Sequence, residues 1–165
     1  MREDFKSSNW YRYMDEGMRD LVGQTMELLN RAEMKVAGGE NEEHDYAYVV
    51  FPMAKAYEGF LKKVFLGLGL INKRQYYGEY FRIGRALNPN LPKRMRSGWV
   101  YGRLLTWCGG NELPEMLWET WKTARNRIFH FFPDHHEFIG LTEARTLVTN
   151  LEKAMEMAIE GCRLK

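Results

Sequence analysis

The sequence has 165 residues, the length of one domain with enough apolar side chains for a substantial core. Hydrophobic residues make up 45% and charged residues 28%, as in soluble globular proteins. We expect no secretory signal, because the charged first residues lack an apolar stretch behind them, and no membrane span, because no apolar run approaches ~20 residues. The sequence therefore predicts a single cytoplasmic domain, 1–165.

The net charge of +2 hides a strongly uneven distribution. Residues 73–103, which we call the basic segment, carry eight basic side chains and one acidic one. Residues 1–45 carry six basic and eleven acidic side chains. A basic stretch of this kind favours binding to a polyanion or to an acidic partner.

The first two helices are predicted from apolar residues at helical spacing. Residues 1–14 mix charges with aromatic rings and predict a loose N-terminal arm that docks by those rings. The first helix is expected from Asp15 to about Val36. The second, capped by Asp45, is expected to run to about Leu70, with Pro52 in its first turn or at a kink.

The region 72–110 is predicted to be a basic, aromatic and partly irregular insertion. Short helices are expected around 73–85 and 99–108, with a loop between them at 88–98, where Pro, Asn and Gly are frequent. The third main helix is expected from about Pro114 to Phe132, and the last follows Thr142. Four main helices without strands predict an all-α, antiparallel four-helix bundle, with the insertion between its second and third helices.

The third main helix carries an apolar stripe with a cation inside it. Arg125 lies on this stripe, and Glu58 lies on the apolar face of the second helix. Because an unpaired buried ion costs several kcal/mol, we expect Glu58 and Arg125 to pair. The stripe consists of Leu117, Trp118, Trp121, Ala124, Ile128, Phe129 and Phe132.

His130 lies five residues after Arg125 and shares a helix face with Asn126. In an α-helix, Arg125 and His130 are separated by roughly 140° around the axis and about 7.5 Å along it. They would not stack directly, but their long side chains could flank one phosphate group.

The pattern Arg125-Asn126-x-x-x-His130 resembles the Arg-x4-6-His signature of HEPN domains, which are small helical bundles found in many prokaryotic toxin ribonucleases. The likeness is strongest to the HEPN domain of RNase LS-type toxins. It implies an HEPN-like bundle and a metal-independent endoribonuclease, the toxin of a toxin–antitoxin or phage-defence system. Arg125, His130, Glu58 and Asn126 would be its catalytic residues.

The resemblance also implies partners. RNA would be the substrate, a cognate antitoxin protein would bind the toxin, and the chain would act as a homodimer with two Arg–His motifs facing a shared cleft. No cofactor or metal is expected, because the ribose 2′-OH is itself the nucleophile. Neither Cys108 and Cys162 nor the Asp134-His135-His136 run has the spacing of a zinc site, although a disulfide between the two cysteines remains open.

The basic segment suits single-stranded RNA, since its charges can follow phosphates while its aromatic rings stack on bases. The alternative is a solvated loop that its aromatic residues hold on the bundle. The side chains expected to contact RNA are Arg127, Lys73, Arg74, Arg82, Arg85, Lys93, Arg94 and Arg96.

Two other functions remain open. The chain could be a non-catalytic HEPN-like module that binds RNA, a nucleotide or a protein, with Glu58 and Arg125 forming a purely structural bridge. It could also be one half of a two-protein system in which a nucleotidyltransferase modifies it.

Overall fold

The structure is a computed structural model that describes residues 3–130, 133 and 138–162. These residues form eight α-helices and no strand. Two short 3-10 segments, Glu3–Ser7 and Lys93–Met95, and one π-helix, Lys122–Arg127, complete the helical structure. The α-helices are α1 Asn9–Tyr13, α2 Glu16–Ala37, α3 Ala47–Gly67, α4 Lys73–Tyr77, α5 Ile83–Leu87, α6 Tyr101–Cys108, α7 Glu112–Trp121 and α8 Leu141–Cys162.

Helix α3 lies at the centre of the fold. It packs against α2 on one side and α8 on another, and α8 also contacts α1 and α7. A helix that is apolar on most of its sides is stable only when neighbours cover it. Its buried side chains include Val50, Met53, Tyr57, Phe60, Leu61, Val64 and Phe65.

The predicted bounds of the first two main helices are close to those observed. Helix α2 begins directly after Asp15, as expected. Asp45 Oδ1 accepts hydrogen bonds from Ala47 N at 3.0 Å and Ile139 N at 3.3 Å, which joins the start of α3 to the segment before α8. Helix α3 ends at Gly67 rather than near Leu70, and Pro52 lies in its second turn rather than its first.

The N-terminal arm docks through its aromatic residues, and part of it is helical. Trp10 and Met14 are buried in the core, and α1 contacts α8. The Arg19 guanidinium donates to the carbonyl oxygens of Tyr11, at 3.1 Å, and Arg12, at 2.7 Å. These bonds fasten the end of α1 to the first turns of α2.

The 72–110 region lies between α3 and α7 and is tied to both. One helix around 73–85 was expected, but the chain forms α4 and α5, with the residues between them non-helical. The Trp99 indole N–H donates to the Asn88 carbonyl at 2.8 Å. Arg103 donates to the carbonyls of Leu70 and, at 2.9 Å, Gly69, and so satisfies backbone oxygens beyond the end of α3.

The prediction of one continuous α-helix from Pro114 to Phe132 is wrong. Helix α7 ends at Trp121, and the π-helix Lys122–Arg127 follows, with backbone hydrogen bonds that span five residues. Thr123 Oγ1 donates to the Glu119 carbonyl at 2.8 Å, a bond that competes with the α-helical ladder and bends helices. Phe132 lies outside the described residues.

The all-α class is confirmed. Within the described ranges, no helix is long and apolar enough to cross a bilayer.

Candidate functional site

The structure brings Glu58 and Arg125 together. Arg125 Nε lies 3.5 Å from Glu58 Oε1, across the contact between α3 and the π-helix. The Arg125 side chain is 33% exposed and the Glu58 side chain 30%. The pair therefore lies at the edge of the core, where water screens it and an anionic ligand can reach it.

Trp121 contacts the same carboxylate oxygen as Arg125. Its indole N–H donates to Glu58 Oε1 at 3.2 Å, and its ring stacks on Trp118 with centroids 5.7 Å apart. The indole also lies against α5: a Cβ placed on Gly84 would be 2.2 Å from Trp121 Cη2. A glycine is thus required at position 84 for α5 to approach the site so closely.

A small pocket, the Glu58–Arg125 pocket, opens beside the ion pair with a volume of about 160 Å³. It is several times the ~30 Å³ of one water and below the ~300 Å³ of common ligand sites, so it suits a group of phosphate size. Its charged side chains are two cations and one anion. The lining residues are Phe51, Ala54, Lys55, Glu58, Arg125 and Phe129.

Two aromatic rings frame the pocket. The Phe51 and Phe129 rings meet edge to face with centroids 5.2 Å apart, and the Arg125 guanidinium lies 5.7 Å from the Phe129 centroid. Phe51 is nevertheless 50% exposed, so it places an apolar surface at the rim of the pocket.

His130 and Asn126 are placed near the pocket in sequence but do not line it. Asn126 lies half-buried in the π-helix, and His130 is exposed just beyond it. The expected separation of roughly 140° between Arg125 and His130 assumed an α-helix. It does not hold, because the segment between them is π-helix followed by turn residues.

The side chains expected to bind RNA are mostly exposed. Lys73, Arg74, Arg82, Arg85, Lys93, Arg94 and Arg127 are exposed, whereas Arg96 is half-buried. Arg96 donates to the Leu91 carbonyl at 2.9 Å and lies 4.1 Å from the Trp99 ring centroid, which indicates a structural role.

A larger pocket, the α4–α5 pocket, lies within the basic segment and has a volume of about 620 Å³. It is formed by α4, the 78–82 turn, α5 and the 97–98 loop. Arg82 donates to the Glu79 carbonyl, and Arg85 donates to the Met95 carbonyl at 3.0 Å. The side chains that face it include Arg74, Glu79, Tyr80, Phe81, Arg82 and Arg85.

Several groups away from these pockets have raised pKa values, among them Tyr57, Cys108 and Cys162. Tyr57 is fully buried and donates to the Leu117 carbonyl at 3.1 Å, which ties α3 to α7, and burial raises its pKa well above 10. Burial also raises the pKa of the free thiols of Cys108 and Cys162, to about 12 for Cys162, where the neighbouring Cys108 contributes as well.

Sequence reasoning missed Lys55 and Phe51 as members of the site. Both share a face of α3 with Glu58, at positions i−3 and i−7, so the helical period contained the signal. The Asp134-His135-His136 run lies outside the described residues.

No model of a known protein family, no curated protein and no solved structure shows a significant match to this chain.

Proposed function

We propose that the protein is a metal-independent endoribonuclease of the HEPN type, the toxin of a toxin–antitoxin or phage-defence system. The observation that carries this proposal is the contact of Glu58 with Arg125 in a phosphate-sized pocket. The pocket also holds Lys55 and lies at the π-helix that leads to His130. π-Helical turns occur often at functional sites.

Arg125 and Lys55 would bind the scissile phosphate. The phosphate gains negative charge as the 2′-oxygen attacks, and a planar guanidinium can donate two N–H groups to it. Glu58 forms an ion pair with Arg125 and accepts a hydrogen bond from Trp121, so it is the group that would orient the guanidinium before RNA binds. Glu58 is in this sense a positioning residue.

His130 would move the protons. The 2′-oxygen forms a bond to phosphorus while the bond from phosphorus to O5′ breaks, which yields a 2′,3′-cyclic phosphate and a free 5′-hydroxyl. A base must take the 2′-OH proton and an acid must give one to O5′, and histidine performs either role near neutral pH. Asn126 would hold the phosphate or the imidazole. DNA lacks the 2′-OH and would be spared.

The assembly would resemble that of the family. Helices α2, α3, α7 and α8 would form its four-helix bundle, and two chains would place their Arg–His motifs across one cleft. A second chain would supply the second proton-transfer group. The half-exposed Phe51 at the pocket rim supports a protein surface there, either for the second chain or for an antitoxin.

The test is cleavage of mixed single-stranded RNA in EDTA. Wild type is expected to cut and to leave 2′,3′-cyclic phosphate ends. His130→Ala is expected to lose about 100-fold or more in rate, the usual contribution of general acid–base catalysis. Arg125→Ala is expected to lose at least as much.

A matched control is His44→Ala, which removes an exposed imidazole that lies outside the pocket and packs on Phe138 with ring centroids 4.0 Å apart. It should cut like wild type. If well-folded wild type leaves all RNA intact, or if His130→Ala cuts at the wild-type rate, the proposed mechanism is refuted.

The second candidate is a non-catalytic RNA-binding module. It is favoured by the α4–α5 pocket, which is about 620 Å³ against about 160 Å³ for the Glu58–Arg125 pocket. In that case the wild type would bind RNA without cutting it, and His130→Ala would bind equally well.

A further inference from the structure

The α4–α5 pocket is built around an aromatic ring that nothing covers within the described chain. Tyr80 is 94% exposed, whereas the next residue, Phe81, is half-buried and packs on the core. An aromatic ring that stays in water contributes little to the stability of the fold, but its face is available for stacking on a planar ligand. Phe81 supplies an apolar floor beside it.

Three arginines give the pocket its charge. Arg82 and Arg85 each use one N–H group on a backbone carbonyl, which leaves most of their five donors for a ligand. The Arg74 side chain is exposed and lines the pocket. Glu79 is the one acidic residue among those that line the pocket. The phosphates of a nucleotide would therefore lie beside the arginines, and the amino group of its base would lie near the Glu79 carboxylate.

The size of the pocket matches one nucleotide. About 620 Å³ lies in the usual range for a small-molecule site, ~300–1,000 Å³, and exceeds what a lone phosphate needs. An arginine cluster beside an exposed aromatic ring suits one base with its phosphates, since stacking tolerates every base.

The pocket also adjoins the proposed cleavage site. Helix α5 forms one of its walls, and Gly84 of α5 touches Trp121, which is hydrogen-bonded to Glu58. The two pockets are thus separated by about one helix, ~10 Å wide, and one indole ring. A strand of a few nucleotides can span that distance.

From this arrangement we infer that the α4–α5 pocket binds one unpaired nucleotide of single-stranded RNA, with its base stacked on Tyr80 and its phosphates held by Arg74, Arg82 and Arg85. This rests on the proposed function in taking RNA as the ligand. It adds a second contact point, away from the cleaved bond, that selects unpaired strands, because a base within a duplex cannot reach Tyr80.

The experiment measures binding separately from cleavage. The probe is a fluorescein-labelled ten-nucleotide 2′-O-methyl oligocytidine, which lacks the 2′-OH nucleophile, followed by fluorescence anisotropy. Tyr80→Ala should weaken binding about tenfold, and Tyr80→Phe should stay within twofold, because it keeps the stacking face. Arg74→Ala should weaken binding. It should also reduce the slope of the logarithm of the binding constant against the logarithm of salt concentration by about 1, the value for one lost phosphate contact.

Two controls remove comparable groups elsewhere. Trp107→Ala deletes an exposed ring of α6, and Lys153→Ala deletes an exposed cation of α8. Both should bind within twofold of wild type, and circular dichroism should show all variants folded.

The outcomes separate this inference from the ribonuclease proposal. Normal cleavage with unchanged binding by Tyr80→Ala would overturn the nucleotide pocket and leave the nuclease standing. If wild type binds the probe through Tyr80 but cuts no RNA, the nucleotide pocket stands and the ribonuclease proposal is overturned. No binding by wild type, or equal binding of the matching duplex, would also overturn the pocket.

Discussion

Replacing Gly84 by alanine should break the packing that supports the Glu58–Arg125 site. The new Cβ would lie 2.2 Å from Trp121 Cη2, 2.7 Å from Cζ2 and 2.8 Å from Cζ3. Carbon atoms pack at about 3.5–4.0 Å, so the ring must retreat by about 1.3 Å or more. The Trp121 indole is also hydrogen-bonded to Glu58 at 3.2 Å, a bond that such a shift endangers.

The expected cost follows from two opposing effects. Overpacking of this kind costs about 1–3 kcal/mol, and replacing glycine by alanine in a helix returns at most about 0.5–1 kcal/mol. We therefore expect Gly84→Ala to lower the free energy of unfolding by about 1–2 kcal/mol. Urea titration followed by tryptophan fluorescence and by circular dichroism measures it. A variant as stable as wild type would refute the reasoning.

A control and a double variant sharpen the test. Gly23 is exposed in the middle of α2, and a Cβ there meets nothing within 4 Å, so Gly23→Ala should stabilise the protein by about 0.5–1 kcal/mol. Trp121→Phe removes the ring atoms that clash with position 84. The double variant Gly84→Ala/Trp121→Phe should lose less stability than the two single losses combined.

Further predictions concern the ion pair and the buried ionisable groups. Glu58→Gln should cost no more than about 1 kcal/mol in stability, because its bridge to Arg125 is partly exposed, and a double-mutant cycle with Arg125→Ala measures the coupling. Tyr57→Phe should cost about 1–2 kcal/mol in urea titration, since it leaves the buried Leu117 carbonyl without its donor. Burial raises the Tyr57 pKa well above 10, so its contribution to stability is complete below pH 10 and falls by about 1.4 kcal/mol per pH unit above it. In Tyr57→Phe, the free energy of unfolding should therefore fall less steeply above pH 10 than in wild type. The same pH dependence in both proteins would contradict this prediction. Burial and a neighbouring thiol raise the Cys162 pKa from 9 to about 12, so stability should fall between those pH values and fall less in Cys162→Ala.

The sequence was sufficient to predict the long helices and one contact of the site. The regular apolar spacing of α2 and α3 gave their bounds closely, because burial of one face dominates helix stability in a protein. Glu58 and Arg125 were expected to meet because an ion on an apolar face needs a partner, and they do meet. Their exposure was not predicted, since spacing does not show where the core ends.

Other features depend on contacts that no local pattern contains. The π-helix after Trp121 has no characteristic spacing of its own, so the stretch read as a continuous α-helix. Helix α1 has only five residues, too few to form alone, and its helical structure depends on its packing against α8. The need for glycine at position 84 appears only when Trp121 is seen beside it.

The contact of α1 with α8 has a consequence for synthesis of the chain. Translation proceeds at roughly 5–20 residues per second, so on the order of ten seconds separate the appearance of α1 from that of α8. The side of α1 that contacts α8 cannot be covered during this interval, and neither can the side of α3 that α8 covers. The nascent chain therefore presents this apolar surface to chaperones until α8 is made.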